Sequence, residues 1–396
     1  ATYTSANNAT ILIDAAIIAV SDLKNIGISD TSTRAADAAV GDPTVEGSLG
    51  KNNQIIVKDS SDNDVDGGIG ILAQNTFAGG TGGVQVLTDT GLDIQVQADR
   101  GVGIQTVVAG TGDTTVVTQT GSIVVTAGNG AAAGTQASTG IDAGSPGGGK
   151  VTVTNAATIN VGSAGGIETV GINAGQQLAN AGTTTITNTA TVTTSNGDGI
   201  RGSAWNGALT ILQNGTVNAG ATTVDGDGVD ARTQGGDIFI NGSGAINITG
   251  GAGDGIVATS NTGNITVGNL LGGYSGTIDP NNGLGNGIKA YITNAGSNGS
   301  ISVTTSTTGF ITGDANNGIL IKNEGLGAVS VSQNADIGSL GNNVSIDGIF
   351  IQIFNATNTN TVSVNGQKSI FATDDGIDAQ TTGLGAVTVN YGTAIS

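Results

Sequence analysis

The sequence predicts an all-β chain wound as a right-handed parallel β-solenoid, a β-helix of about eleven or more coils of ~30 residues each. Three observations predict it. A glycine ahead of an apolar residue recurs at Gly70, Gly103, Gly140, Gly171, Gly199, Gly228, Gly255, Gly287, Gly318, Gly348 and Gly376, at spacings of 27 to 37 residues. Val and Ile then alternate with polar residues, as in Val151/Val153, Val329/Val331 and Val387/Val389, which is the period of a half-buried strand. Each repeat is also too short and too poor in large apolar residues to bury a core alone, so it requires a stacked neighbour. The right hand follows from the general preference of parallel crossovers.

Residues 1–65 are the least regular part and are expected to cap or assemble the solenoid of residues 66–396. The most apolar stretch, TILIDAAIIAV at 10–20, reads as a strand because of its β-branched content. Residues 32–40 read as loop or short helix, and NQIIVK at 53–58 as a strand. The longest spacing, between Gly103 and Gly140, holds GNGAAAGTQA at 128–137, a small-residue insertion expected to loop out of its coil.

The repeat is clearest at 225–250, DGDGVDARTQGGDIFINGSGAINITG: a turn, a strand at 229–232, a turn, a strand at 237–241, a turn and a strand at 245–249. After the repeat glycine come Ile200, Val229, Ile256, Ile288, Ile319, Ile349 and Ile377, and two residues on Gly202, Ala231, Ala258, Ala290, Ile321, Ile351 and Ala379. Period-two alternation points both sets inward as apolar ladders at ~4.8 Å per coil, a stack of very roughly 50 Å. The last coil is expected to use strands at 377–380, 386–390 and 392–395, with no helix, proline or charged strand after them. An uncovered coil implies a longer parent chain, a cap folded back from elsewhere, or end-to-end pairing with another copy, with residues 10–20 across the joint.

Composition narrows the function classes. Seventy glycines against three prolines suit a chain that turns often and exploits positive φ, without the strict triplet of collagen. The alternating Val and Ile argue against disorder. A net charge of −19 excludes nucleic acid and anionic membrane as partners, because both need a basic field. No apolar run approaches the ~18 residues of a spanning helix. The chain begins at Ala1 rather than Met, as expected either of a mature end left by signal-peptide cleavage or of a trimmed chain.

With no Cys, Met or His, disulfides, Ser-His-Asp and Cys-His nucleophiles and the common zinc sites are excluded. Carboxylates remain. Asp374-Asp375 is the best acidic pair, but adjacent turn residues poorly supply the ~6.5–9.5 Å separation an inverting glycosidase needs. A polysaccharide-degrading β-helix enzyme is therefore a minor alternative, and the expectation is a non-enzyme. GGAGDGIVA at 250–258 resembles a calcium nonapeptide but has its aspartate one place early and no nine-residue recurrence. A broader calcium argument survives: Asp198, Asp227 and Asp254 share a turn in successive repeats, followed by Asn286, Asn317, Asp347 and Asp375. Stacked carboxylates repel, and a bridging hard cation or solvation of exposed turns would relieve that; an asparagine ladder is expected mid-column. No other cofactor is expected.

The outward positions of the first strand are the candidate binding surface: Arg201, Trp205, Lys289, Tyr291, Leu320, Lys322, Phe350 and Phe354. They lie among Ser203, Asp230, Arg232, Val257, Thr259, Gln352, Asp378 and Gln380, whereas outward residues elsewhere are mostly Thr, Ser, Asn and Gly. A contiguous stripe of large exposed groups marks an interaction surface unless a loop covers it.

The stretches DGDGVDA, GDGIVA and DDGIDAQTTGLGAVTVNYGTAIS resemble the passenger repeats of bacterial autotransporters and related secreted β-helix adhesins, over residues 66–396. The resemblance is one of style, and the C-terminal membrane barrel usual in that family has no counterpart here. It implies a non-enzymatic extracellular or cell-surface adhesin, a rigid rod for attachment to a surface receptor, glycan or matrix. The alternative is a subunit of a self-assembling extracellular filament.

Overall fold

The computed structural model describes residues 15–21, 26–29 and 53–58, and residues 68–392 except 76–77, 79–80, 89, 98–100, 127–137, 163–167, 176–181, 221–225, 269–271 and 281–283. Side chains are described from residue 68 onward and at Ile55. The expected loop or helix at 32–40 and the insertion at 128–137 lie outside the described residues, as do residues 10–14 of the apolar stretch.

The protein is an all-β parallel solenoid with about 30 residues per coil, and no helix occurs among the described residues. Coils as far as residue 337 give one strand to each of three parallel sheets, and among the described residues the last two coils give strands to the first and second sheets only. The chain divides into two compact units, 1–201 and 202–396.

In the first unit, the first sheet runs Ala15–Ser21, Ile69–Asn75, Val102–Val108, Ser138–Gly144, Thr169–Gly175. The second runs Ile26–Ser29, Val84–Leu87, Thr114–Thr118, Val151–Asn155, Thr184–Asn188. The third runs Asn53–Lys58, Leu92–Gln97, Gly121–Thr126, Thr158–Gly162, Val192–Thr194. The segment ahead of residue 66 thus supplies three strands, each paired in parallel with the next coil, for example Ile55 with Ile94. Residues 15–20 of the apolar stretch form a strand, and 53–58 is a strand with the expected bounds.

The second unit repeats the plan. Its first sheet stacks Val229–Thr233, Ile256–Ser260, Ile288–Ile292, Ile319–Asn323, Ile349–Ile353 and Ile377–Thr381. Its second sheet includes Leu209–Gln213, Ile238–Gly242, Ile265–Val267, Ile301–Thr304, Val329–Gln333, Val362–Gly366 and Val387–Tyr391. Its third sheet is shorter-stranded, shrinking to Phe310–Ile311 and Asp336–Ile337.

The inward register is the one the alternation predicts. Val229, Ile256, Ile288, Ile319, Ile349 and Ile377 stack in register, as do Ala231, Ala258, Ala290, Ile321, Ile351 and Ala379. Members of both columns up to Ile351 are buried. Because like residues stack on like, each coil's apolar row is covered by an equivalent row, and a thin coil acquires a core only through its neighbours.

The repeat glycines have a different cause from the one composition suggested. None of them takes a positive φ. They stack directly on one another: a β-carbon on Gly228, Gly255, Gly287, Gly318 or Gly348 would lie 2.5–2.6 Å from the carbonyl oxygen of the next repeat glycine. It would also lie 2.1–2.5 Å from a methyl of Ile246, Ile278, Ile311, Ile337 or Ile370 on the third side of the coil. The coil is pinched at this corner, and only a residue without a side chain lets backbone meet backbone there.

Candidate functional site

The aspartate column lies directly before the repeat glycine, and the structure buries it. Asp198, Asp227 and Asp254 are almost solvent-free, as are Asn286, Asn317 and Asp347. Solvation of exposed turns is therefore not how these carboxylates are accommodated. In the second unit each side chain caps the backbone of the next coil. Asp227 Oδ1 accepts the Asp254 N–H (2.8 Å), Asp254 Oδ1 the Asn286 N–H (2.6 Å) and Asp347 Oδ1 the Asp375 N–H (3.1 Å). The expected asparagine ladder is present, with Asn317 Nδ2 donating to Asn286 Oδ1 at 2.8 Å.

Charge in the column is met from inside the protein. Lys289 Nζ lies 2.8 Å from Asp254 Oδ2. In the first unit Arg201 bridges Asp198, at 2.7 Å, and Glu168. Burial alone would lower the Arg201 pKa, but the two carboxylates hold it above its ordinary value. Asp347 has no such cation. Burial raises its pKa, the Asp375 N–H opposes this, and the charges of Asp374, Asp378 and Asp375 add to the rise. Among the described residues no group of three or more carboxylates is placed to hold a metal ion, so Asp198, Asp227 and Asp254 are not gathered as ligands.

The candidate binding stripe resolves into columns. Lys289, Leu320 and Phe350 are successive partners, and Tyr291 pairs with Lys322. All five are half-buried. Lys289 is committed to Asp254, and the Tyr291 hydroxyl donates to Glu324, which with partial burial pushes the phenol up to about 12. Arg201 belongs to the first unit and is turned to its two carboxylates. Asp230 and Val257 occupy the same outward column as Lys289, yet only 1% and 6% of their surface is exposed.

Trp205 and Phe354 are the most exposed members, at 38% and 43%. They sit beyond the strand, at the corner between the first and second sheets. Between their coils this corner carries an open groove of about 390 Å³ lined by Gly235, Asp237, Thr262, Asn264, Ser297 and Asn298, among others. Its floor is a second glycine column: β-carbons on Gly236 and Gly263 would lie 1.7 and 2.0 Å from the carbonyl oxygens of Gly207 and Gly236. Sequence reading looked along the strands and missed this corner. The available signal was the Gly and Asn recurrence in QGGD, NTGN and NAGSNGS after successive first strands.

Compared with known proteins, the chain matches no family model, no curated protein and no solved structure.

Proposed function

We propose that the chain is a non-enzymatic adhesin of the bacterial surface or secreted space, in which a stiff solenoid presents a side-chain face for attachment. One observation carries this reading. In the second unit, Lys289, Leu320, Phe350, Tyr291 and Lys322 form two adjacent outward columns on the first sheet, with Phe354 exposed just after the Phe350 strand and Trp205 exposed at the same corner three coils before Lys289. The outward second-sheet column beside it is small and polar after Phe239, running Thr266, Ser302, Ser330 and Ser363. Bulky groups stacked in register on one sheet face support a contact role, whereas the other strongly exposed apolar residues, Leu284, Leu340 and Leu384, lie outside the strands. The buried aspartates of the repeat turn cap backbone or pair with cations, as Asp227, Asp254, Asp347 and Asp198 do, which supports reading them as structural.

The test is attachment of beads coated with the purified protein to cell layers and matrix-coated surfaces. Trp205→Ala and Phe350→Ala are each expected to weaken attachment about tenfold or more with little change in thermal unfolding. Equal attachment by parent and variants removes the assignment.

A second reading, self-association into an extracellular filament, has its own supporting observation. In the coil of residues 374–392 the positions that point inward elsewhere are open, with Val387 at 40% and Val389 at 47% exposure. A second copy stacked on this coil would cover them, and a lone chain would leave them open. Sedimentation and electron microscopy over a concentration series decide between these: concentration-dependent fibres support assembly, and single particles throughout reject it.

A further inference from the structure

The corner groove of the second unit has the chemistry of a saccharide site. Deepening the attachment reading above, and resting on it, we infer that this groove and the corner that continues it bind an extended neutral oligosaccharide, with Trp205 one coil before the groove and Phe354 two coils after it as stacking platforms.

The first ground is the lining. Asp237, Thr262, Asn264 and Asn298 present carboxylate, hydroxyl and amide groups, and all four are exposed. No large apolar side chain lines the groove. Such a wall exchanges hydrogen bonds with hydroxyl groups and offers nothing to a hydrophobic ligand.

The second ground is preorganisation. Asp237 Oδ1 accepts the Asn264 N–H (2.8 Å) and Nδ2 (3.0 Å), and Asn264 Oδ1 accepts the Ser300 N–H (2.9 Å), so adjacent coils fix one another. The 294–299 loop overhangs the groove and is tied from three directions. Ser297 Oγ donates to the Thr262 carbonyl (2.9 Å), the Ser297 carbonyl accepts the Leu326 N–H (2.6 Å), and Asn355 Nδ2 reaches back to the Ala295 carbonyl (2.7 Å). A wall held this way orders little on binding, which lowers the entropic cost of capturing a hydrated ligand.

The third ground is the aromatic pair. The Trp205 carbonyl accepts the Gly235 N–H at 2.7 Å, which fixes Trp205 at the same corner in the coil before the groove. Phe354 follows the groove at that corner: its N–H donates to the Asn323 carbonyl, and the Glu324 N–H to Ile292. From Trp205 to Phe354 is five coil steps, about 24 Å at strand spacing. That is the reach of a chain of several pyranose rings, whose apolar C–H faces stack on aromatic rings while their hydroxyls meet the amides between.

The fourth ground is charge. The corner segments 205–208, 234–237, 261–264, 293–300, 324–328 and 354–361 contain no Lys or Arg, while Asp237 and Glu324 are acidic. In a chain of net charge −19, sulfated and uronate-rich chains are disfavoured and neutral glycans are not.

The experiment uses the protein's only tryptophan as reporter. The full chain is titrated with neutral tetra- to hexasaccharides of the cello, malto, laminari, xylo and N-acetylated chito series, with heparin and polygalacturonate fragments as comparators. At least one neutral series should shift Trp205 fluorescence saturably, with little dependence on salt. Calorimetry should show Phe354→Ala weakening that binding about tenfold and Trp205→Ala likewise. No saturable response to any neutral series up to about 10 mM overturns the inference. So does a response confined to the anionic fragments, or binding that both variants retain in full. Bead attachment run in parallel separates the two readings: saccharide binding without attachment upholds the groove and rejects adhesion. Attachment that Trp205→Ala and Phe350→Ala weaken, with no neutral series bound, upholds the attachment reading and overturns the groove alone.

Discussion

At the scale of single residues, the glycines show most plainly what the coil demands. A β-carbon on Gly287 would meet Gly318 O at 2.6 Å and Ile311 Cγ2 at 2.5 Å, and neither atom can retreat because each belongs to the stack. Gly287→Ala is expected to cost ~1–3 kcal/mol by overpacking, read from denaturant unfolding. Gly272→Ala, with nothing within 4 Å and no left-handed φ, is the control and should stay within about 0.5 kcal/mol of the parent. A neutral Gly287→Ala would mean the corner is looser than its geometry implies. Asp347 offers a second single-residue test. Its folded pKa lies above that of the unfolded chain, through burial first and neighbouring carboxylates after it. The folded state then holds more proton between those two values, so stability is lost as pH rises through that window. Asp347→Asn keeps an acceptor for the Asp375 N–H without the charge, just as Asn317 Oδ1 accepts the Asp347 N–H one coil earlier in this column. The variant should melt roughly 1–2 °C higher at neutral pH, with the gain closing as pH falls below the ordinary carboxylate range. An unchanged difference across that pH range would show that charge is not the cause.

At the scale of strands, the alternation of Val and Ile made the inward register legible before any coordinates. Period two leaves only two choices of face, and an apolar face must be the buried one. Ile288→Asp should therefore cost ~4 kcal/mol or more, because it places a carboxylate between Ile256 and Ile319. Lys322→Asp, on the outward column of the next strand, should change stability little. Equal effects of the two would mean that the assigned faces are not distinct. What the sequence did not reveal has physical reasons too. Outward alternation predicts direction, not exposure: Asp230 and Val257 point outward by register and are nonetheless buried. The reverse error occurred at the aspartate turns, where Asp before Gly ordinarily signals a solvated turn. Here the turn is pressed between coils, and its carboxylates serve as acceptors for the coil beyond. The corner groove was hard to read because its glycines, though recurrent at Gly207, Gly236, Gly263 and Gly299, sit in loops of unequal length that lack the period-two alternation of a strand. Of the candidate binding residues, Trp205 and Phe354 were identifiable as large groups amid small ones. The commitment of Lys289 to Asp254 and of Tyr291 to Glu324 was not, since those partners lie 35 and 33 residues away in sequence.

At the scale of the whole chain, the arrangement of contacts makes a prediction about how damage spreads. Strands pair with their equivalents one coil before and one coil after, so energy is shared between nearest neighbours rather than through one common centre. Side chains extend that coupling only slightly: the Asn355 amide reaches a carbonyl 60 residues earlier, and the Tyr391 hydroxyl reaches Gln333 at 3.2 Å, 58 residues earlier. A lesion at Ile288 should therefore loosen its own coil and those on either side before anything else. Native-state hydrogen exchange on Ile288→Asp is expected to show amides of Ile256–Ser260 and Ile319–Asn323 losing protection first. Amides of Val151–Asn155 in the first unit should exchange as in the parent. The same variant should broaden the thermal transition, because a one-dimensional array weakened at one interface melts in stages. Uniform loss of protection at both sites, with a transition as sharp as the parent's, would show that the chain unfolds as one cooperative block. Local coupling would then be the wrong description of how this stack holds together.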